Sequence, residues 1–199
     1  MSYLVGSIPT AYIGGRLMKG IDIRRHGSGN VGATNAFRVL GKIPGTIVLM
    51  VDVLKGVVGP TILADYLGSD RILERAALGL AAVLGHSFSV FLKFKGGKGV
   101  ATSLGVLIGL TITMPMIRPI LMIAILVWLG VFLLTGFVSL ASLVSVTVVP
   151  FATVIFNQPL EVVGLGIILC IFVVCRHRTN IQRLLTGKES RVLFFRRKR

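Results

Sequence analysis

Apolar runs of bilayer length recur along almost the whole chain, and no other feature limits its fold as strongly. A hydrocarbon core of about 30 Å takes roughly 20 helical residues at about 1.5 Å each, and a backbone in lipid must pair its amides within its own segment. Residues 2–18, 43–67, 72–92, 100–114, 117–134, 137–156 and 160–175 meet or approach that length, the first and fourth being short. The sequence therefore predicts an all-α integral membrane protein of about seven transmembrane helices, some short or re-entrant, with five spans as the alternative. With 54% hydrophobic residues and a mean hydropathy of +0.87, an ordinary soluble domain is excluded. No basic region precedes the first run and no small-residue cleavage site follows it, so it reads as a retained span and not a signal peptide. No repeat or low-complexity linker divides the chain, which predicts one domain over residues 1–199.

Charge sets the orientation. The chain carries 22 Lys and Arg against 7 Asp and Glu, a formal net charge of +15. With the amino terminus outside, the inside segments hold Arg16, Lys19, Arg24, Arg25, Arg38, Lys42, Lys93, Lys95 and Lys98, together with nine bases from Arg176 to Arg199. Only Arg71, Arg75 and Arg118 then lie outside, and Lys55 falls within a span. Short Lys/Arg-rich loops stay cytoplasmic, so the expected topology has the amino terminus outside and the carboxyl terminus inside. Residues 190–199 read as a basic membrane-surface tail or an appended segment, to which no chemistry is assigned. Nucleic acid is a poor partner, because the bases are not interleaved with aromatics on a soluble surface. Cys170 and Cys175 lack the second pair that a zinc site needs, and no metal is expected.

Three polar segments share the predicted inner face. The first runs Gly27-Ser28-Gly29-Asn30-Val31-Gly32-Ala33-Thr34-Asn35 and is followed by Arg38. Its glycines allow close backbone approach, and Ser28, Asn30, Thr34, Asn35 and Arg38 offer donors suited to phosphate or carbonyl oxygen. The second, Phe94-Lys95-Gly96-Gly97-Lys98-Gly99-Val100-Ala101-Thr102, opens directly into a span. Amides at a helix start beside two lysines make a phosphate cradle. It is not a Walker A loop, since Gly99 follows Lys98 where Ser or Thr is required, and nucleotide is not implied. The third begins Arg176-His177-Arg178-Thr179-Asn180, with Arg183 and Glu189 beyond; three-residue spacing puts His177, Asn180 and Arg183 along one helical side. Within the spans, Asp52 and Lys55 lie one turn apart and can neutralise each other. His86 is open to a functional or a packing role, and Ser139 and Ser142 suit interhelical hydrogen bonds.

Taken together, Gly27-Ser28-Gly29-Asn30 with Gly32-Ala33-Thr34-Asn35, the Phe94–Thr102 run, and His177-Arg178-x-Asn180 with Arg183-Leu184-Leu185 resemble the three motifs of the bacterial acyl-phosphate-dependent glycerol-3-phosphate acyltransferases. The likeness extends over essentially the whole chain, with no departure in the motif cores. It implies transfer of a fatty acyl group from acyl phosphate to the first-position hydroxyl of glycerol 3-phosphate at the cytoplasmic face of the inner membrane, without cofactor. By this resemblance Ser28, Arg38, His177 and Asn180 fall on positions needed for activity. Lys95, Gly96, Gly97, Lys98, Gly99 and Thr102 fall on the glycerol-phosphate-binding segment, and Glu189 on a structural position. The residues themselves suggest that Arg38 and the lysine loop hold phosphates, with Asn30, Thr34, Asn35 and Arg183 also substrate-binding, while Ser28, Asn180 and His177 orient the reacting groups.

Two other readings compete. An acyltransferase using a thioester would be expected to carry His-x4-Asp, but the residues five beyond His26, His86 and His177 are Val31, Phe91 and Gln182. A carrier for a phosphorylated metabolite would place its polar groups at mid-membrane on repeated or broken helices. Here the donors crowd at one interface instead.

Overall fold

A computed structural model describes residues 1–192, all of them helix, turn or loop with no strand among them. The expected basic tail at Arg196, Arg197, Lys198 and Arg199 lies outside the described residues. The chain divides by its internal packing into two compact units, Met1–Pro115 and Met116–Arg199. The first unit contains α1 (Ser2–Ser7), α2 (Thr10–Lys19), α3 (Ala33–Val39) and α4 (Lys42–Val58). From α4 a π turn over Gly59–Leu63 leads into α5 (Ala64–Tyr66), and α6 (Ile72–Ser87) and α7 (Val100–Thr113) follow. The second unit holds α8 (Arg118–Thr135), α9 (Val138–Ile155), α10 (Leu160–Arg176) and α11 (Arg178–Leu185).

Among the described residues, four helical stretches are long and apolar enough to cross a bilayer: Lys42–Tyr66, Ile72–Leu92, Pro115–Thr135 and Val138–Ile155. Leu160–Arg176 with Arg178–Leu185 makes a fifth, bent by 61°. In the Pro115–Thr135 stretch only 17% of the apolar window is buried, which leaves its Leu and Ile side chains for lipid. The 14 residues of α7 reach about 21 Å, short of the core thickness, as the sequence suggested.

The expectation of one continuous first span over residues 2–18 is corrected. Pro9 disfavours helical geometry at the residue before it, and Ile8 is extended at φ −55° and ψ 115°. The break exposes carbonyls that lipid could not satisfy. Ser89 Oγ donates to Ser7 O at 2.5 Å, and Lys55 Nζ donates to Ile8 O at 2.9 Å. A broken helix is tolerated here because protein groups, not lipid, meet its backbone.

Close packing in the first unit depends on small residues. A methyl added at Gly56 would overlap Thr102 O, and one at Gly105 would overlap Val53 O, so α4 and α7 cross almost backbone to backbone. Gly6 and Gly85 do the same between α1 and α6, against Ala82 O and Tyr3 O. In the second unit hydrogen bonds join α8 to α9: Trp128 Nε1 donates to Ser142 Oγ at 3.2 Å, and Ser145 Oγ donates to Ala124 O at 2.7 Å. Bonds of this kind contribute about 0.6 kcal/mol each on average in membranes.

Candidate active site

The first loop is built around one side chain. Asn35, in the first turns of α3, is 1% exposed. Its Oδ1 accepts from Ser28 N at 2.9 Å, and its Nδ2 donates to His26 O at 3.0 Å, to Asn30 O at 2.9 Å and, at 3.4 Å, to Ile23 O. Gly27 turns at φ +62°, and a methyl there would overlap the same Asn35 Oδ1. Asn35 was expected to bind substrate; its amide is instead spent on the loop, which makes it the loop's organiser. What it holds outward is Ser28, exposed, with Thr34 and Arg38 exposed on α3 and Asn30 half-buried.

A second device braces the loop from α2. Asp22 caps a 3-10 turn over Ile23–Arg25 by accepting from Arg24 N at 3.1 Å, and its carboxylate pairs with the Arg24 guanidinium at 2.7 Å. The Arg24 hydrogen bond holds the Asp22 carboxyl well below the usual carboxylate range, and Asp22 in turn raises Arg24. Both the Arg16 and the Arg24 guanidinium lie over the Tyr12 ring, 5.3 and 5.1 Å from its centroid.

The lysine loop rests on the end of α6. Lys93 and Phe94 adopt φ of +53° and +61°, a conformation costing non-glycine residues about 1–2 kcal/mol each. Two left-handed residues in succession reverse the chain. Phe94 N donates to Ser89 O at 2.8 Å, Gly96 N to Ser87 O at 3.0 Å and Gly97 N to His86 O at 3.0 Å, which satisfies the last carbonyls of α6. Lys95 is exposed and Lys98 half-buried, and Gly99 caps α7 at φ +85°. Under the loop lies a buried polar cluster. Lys55 Nζ sits 2.6 Å from Asp52 Oδ1 and 3.3 Å from His86 Nδ1, and Thr10 Oγ1 donates to Asp52 Oδ1 at 3.2 Å. The predicted neutralisation of Asp52 by Lys55 is present.

One apolar cluster serves both segments. Ile23 and Val31 of the first loop, Ala36 and Leu40 from α3, Ala11, Val48 and Leu92 pack together, and Leu92 directly precedes the lysine loop.

In the second unit His177 ends α10 and opens α11. Its Nδ1 donates to Val173 O at 2.7 Å, so in the neutral ring Nε2 is the acceptor. Asn180 Nδ2 and Ser139 Oγ both donate to Glu189 Oε1 at 2.7 Å. Glu189, expected at a structural position, accepts from both at one carboxylate oxygen, and that bond fixes the Asn180 amide. His177 and Asn180 are both buried, whereas Arg183 is exposed.

The family described as glycerol-3-phosphate acyltransferase matches residues 1–187. The chain belongs to this family. A glycerol-3-phosphate acyltransferase of Desulforudis audaxviator is 47% identical over 195 residues, covering 98% of this chain and 93% of that one. Glycerol-3-phosphate acyltransferase 2 of Moorella thermoacetica is 45% identical over 193 residues, covering 96% and 94%. Among solved structures, PlsY (YgiH), an integral membrane glycerol 3-phosphate acyltransferase, matches in its glycerol 3-phosphate form with a TM-score of 0.84 and 40% identity, covering 98% of this chain and 96% of that one. Its lysphosphatidic acid form matches with a TM-score of 0.82 at the same identity, covering 96% and 91%.

In this member of the acyltransferase family, three sets of residues expected to bind substrate have packing roles. Thr102 was placed among the substrate-binding residues; it is fully buried where α4 meets α7. Gly96 and Gly97 were placed on the glycerol-phosphate-binding segment; methyls there would overlap His86 O and the His86 ring, so the end of α6 packs against both glycines. Asn35 is the third. Asp22, Thr10 and Ser89 were missed altogether. Asp22 alone had a legible signal, a single acid among Arg16, Lys19, Arg24 and Arg25.

Proposed function

We propose that the protein transfers a fatty acyl group from acyl phosphate to the sn-1 hydroxyl of glycerol 3-phosphate, giving lysophosphatidate and inorganic phosphate. The observation that carries this reading is the 40% identity, over 98% of the chain, to a membrane acyltransferase whose two forms are described by glycerol 3-phosphate and lysphosphatidic acid. Acyl phosphate as donor is supported by the three-motif resemblance and by the lack of His-x4-Asp.

The hydroxyl oxygen bonds to the acyl carbon, the carbon–oxygen bond to phosphate breaks, and the hydroxyl proton leaves on the released phosphate. Acyl phosphate already carries a good leaving group, so orientation and charge stabilisation suffice. Arg38, Lys95 and Lys98, with the amides at Gly99 and the start of α7, hold phosphate oxygens. Asn30 and Thr34 border the first loop's contact with substrate, and Arg183 adds positive charge beside α11. Ser28 is held outward to hydrogen-bond the reacting groups, and His177 offers Nε2 as acceptor while Asn180 presents an amide fixed by Glu189. Ser28 as acyl nucleophile is the weaker reading: the bond that holds it runs from its backbone amide to Asn35 Oδ1, a neutral amide that supplies no general base.

The whole chain then acts as one catalytic domain in the bacterial inner membrane, its motifs facing the cytoplasm. The charge bias supports that sidedness. Purified protein given palmitoyl phosphate or palmitoyl-CoA with glycerol 3-phosphate tests the donor. Lysophosphatidate formed with one equivalent of inorganic phosphate is expected from the first alone. Turnover of the thioester instead would replace this reading with the other.

A further inference from the structure

His86 ends α6 directly beneath the lysine loop, and both edges of its imidazole are engaged. On the inner edge, Nδ1 lies 3.3 Å from Lys55 Nζ and 3.7 Å from Asp52 Oδ1. Lysine has donors only, so Nδ1 accepts, and the proton of the neutral ring sits on Nε2. On the outer edge that Nε2 faces Gly97. A methyl on Gly97 would overlap it first, then come within 2.9 Å of Cε1 and 3.1 Å of Cδ2, so the loop backbone lies along the whole ring edge. The main chain repeats the contact, with Gly97 N donating to His86 O at 3.0 Å.

The inner groups cannot drift. Lys55 also donates to the carbonyl of Ile8 at the break between α1 and α2, and Asp52 also accepts from Thr10 on α2. Asp52, Lys55 and His86 are 1%, 4% and 7% exposed. A pair of charges held this deep is costly to move, since either one without the other would be uncompensated. The ring is therefore fixed from behind by three elements and carries the loop in front. Simple space filling would need neither the polar inner edge nor a glycine pressed on the outer one.

We propose that His86 is a positioning residue for the acyltransferase reaction: held by Lys55 and Asp52, its imidazole sets the backbone path of Gly96–Gly97–Lys98. It thereby aims Lys98 and the first amides of α7 at the phosphate of glycerol 3-phosphate. This rests on the functional reading above, and it adds a role for a side chain outside the three motifs. His86 acts only through the loop.

The test uses the full chain in lipid nanodiscs. His86→Ala raises KM for glycerol 3-phosphate at least tenfold while kcat changes less than threefold. His86→Gln, which keeps an N–H donor near the Nε2 position, stays within threefold of the parent in both. Gly97→Ala alone also raises KM at least tenfold, because its methyl meets the ring. The double variant His86→Ala with Gly97→Ala is no worse than His86→Ala, the removed ring having made the space. Hydrogen–deuterium exchange of the amides at 96–99 rises at least tenfold in His86→Ala. Losses that multiply in the double variant, a His86→Gln as impaired as His86→Ala, or unchanged exchange at 96–99 would each overturn the proposal. Should the parent make no lysophosphatidate, the functional reading falls, and the exchange result decides the positioning role by itself.

Discussion

Single side chains in this protein organise loops more than they line them. Asn35 is the plainest case, since one amide accepts from Ser28 N and donates to carbonyls of the same loop. Asn35→Asp keeps the size and the acceptor but sets a carboxylate against the carbonyls of His26 and Asn30. We expect loss of activity of at least tenfold in a protein that still purifies as a homogeneous species. Retention of full activity would show that the Ser28 loop does not need this staple. Asp22 works beside it through charge. Its carboxyl is depressed by Arg24, so its brace is fully present above the ordinary carboxylate range and weakens only as pH falls through the lowered value.

Helices in the first unit approach through glycines, and this makes specific positions intolerant. A methyl at Gly105 would overlap Val53 O and stand 3.0 Å from Gly56 Cα, which leaves no room for a side chain. Gly105→Leu forces α7 away from α4 and should cost roughly 3 kcal/mol, the upper part of the range for overpacking. Gly130 of α8 has nothing within 4 Å of where a methyl would stand. Gly130→Ala should therefore leave stability unchanged or slightly higher, since alanine favours helix by about 1 kcal/mol. Thermal unfolding in one detergent compares the two, and equal melting temperatures would remove the close-packing argument. Elements also decide the loop geometry: the reversal at Lys93 and Phe94 persists because bonds to the end of α6 hold it.

At the scale of the molecule, the question is which face of the membrane the motifs meet. Cysteines placed singly at Ser28, Lys95, Gln182 and Asp70, in a chain with Cys170 and Cys175 replaced, report it through a membrane-impermeant maleimide. The charge bias predicts labelling of the first three only in inverted vesicles and of residue 70 only in right-side-out ones. Labelling of Ser28→Cys and Gln182→Cys from opposite sides would end the functional reading, because both motifs must reach the same substrate. The broken first helix makes the test worth doing, since six and ten residues are each too short to span.

The amino-acid sequence by itself determined the membrane class, the helical content, the three polar segments, the pairing of Asp52 with Lys55, and a likeness to the acyltransferases. These are written in local pattern: the length of apolar runs, the three-residue spacing of charges, and glycine-rich stretches beside bases. Only the tertiary structure decided what the glycines and asparagines are for. Gly97 meets His86, which lies 11 positions earlier, and Lys55 reaches Ile8, which lies 47 earlier, so neither contact leaves a local trace. A polar residue in such a loop has the same appearance in sequence whether its donors face a ligand or its own backbone. Burial settles which, and burial is a property of the packed chain.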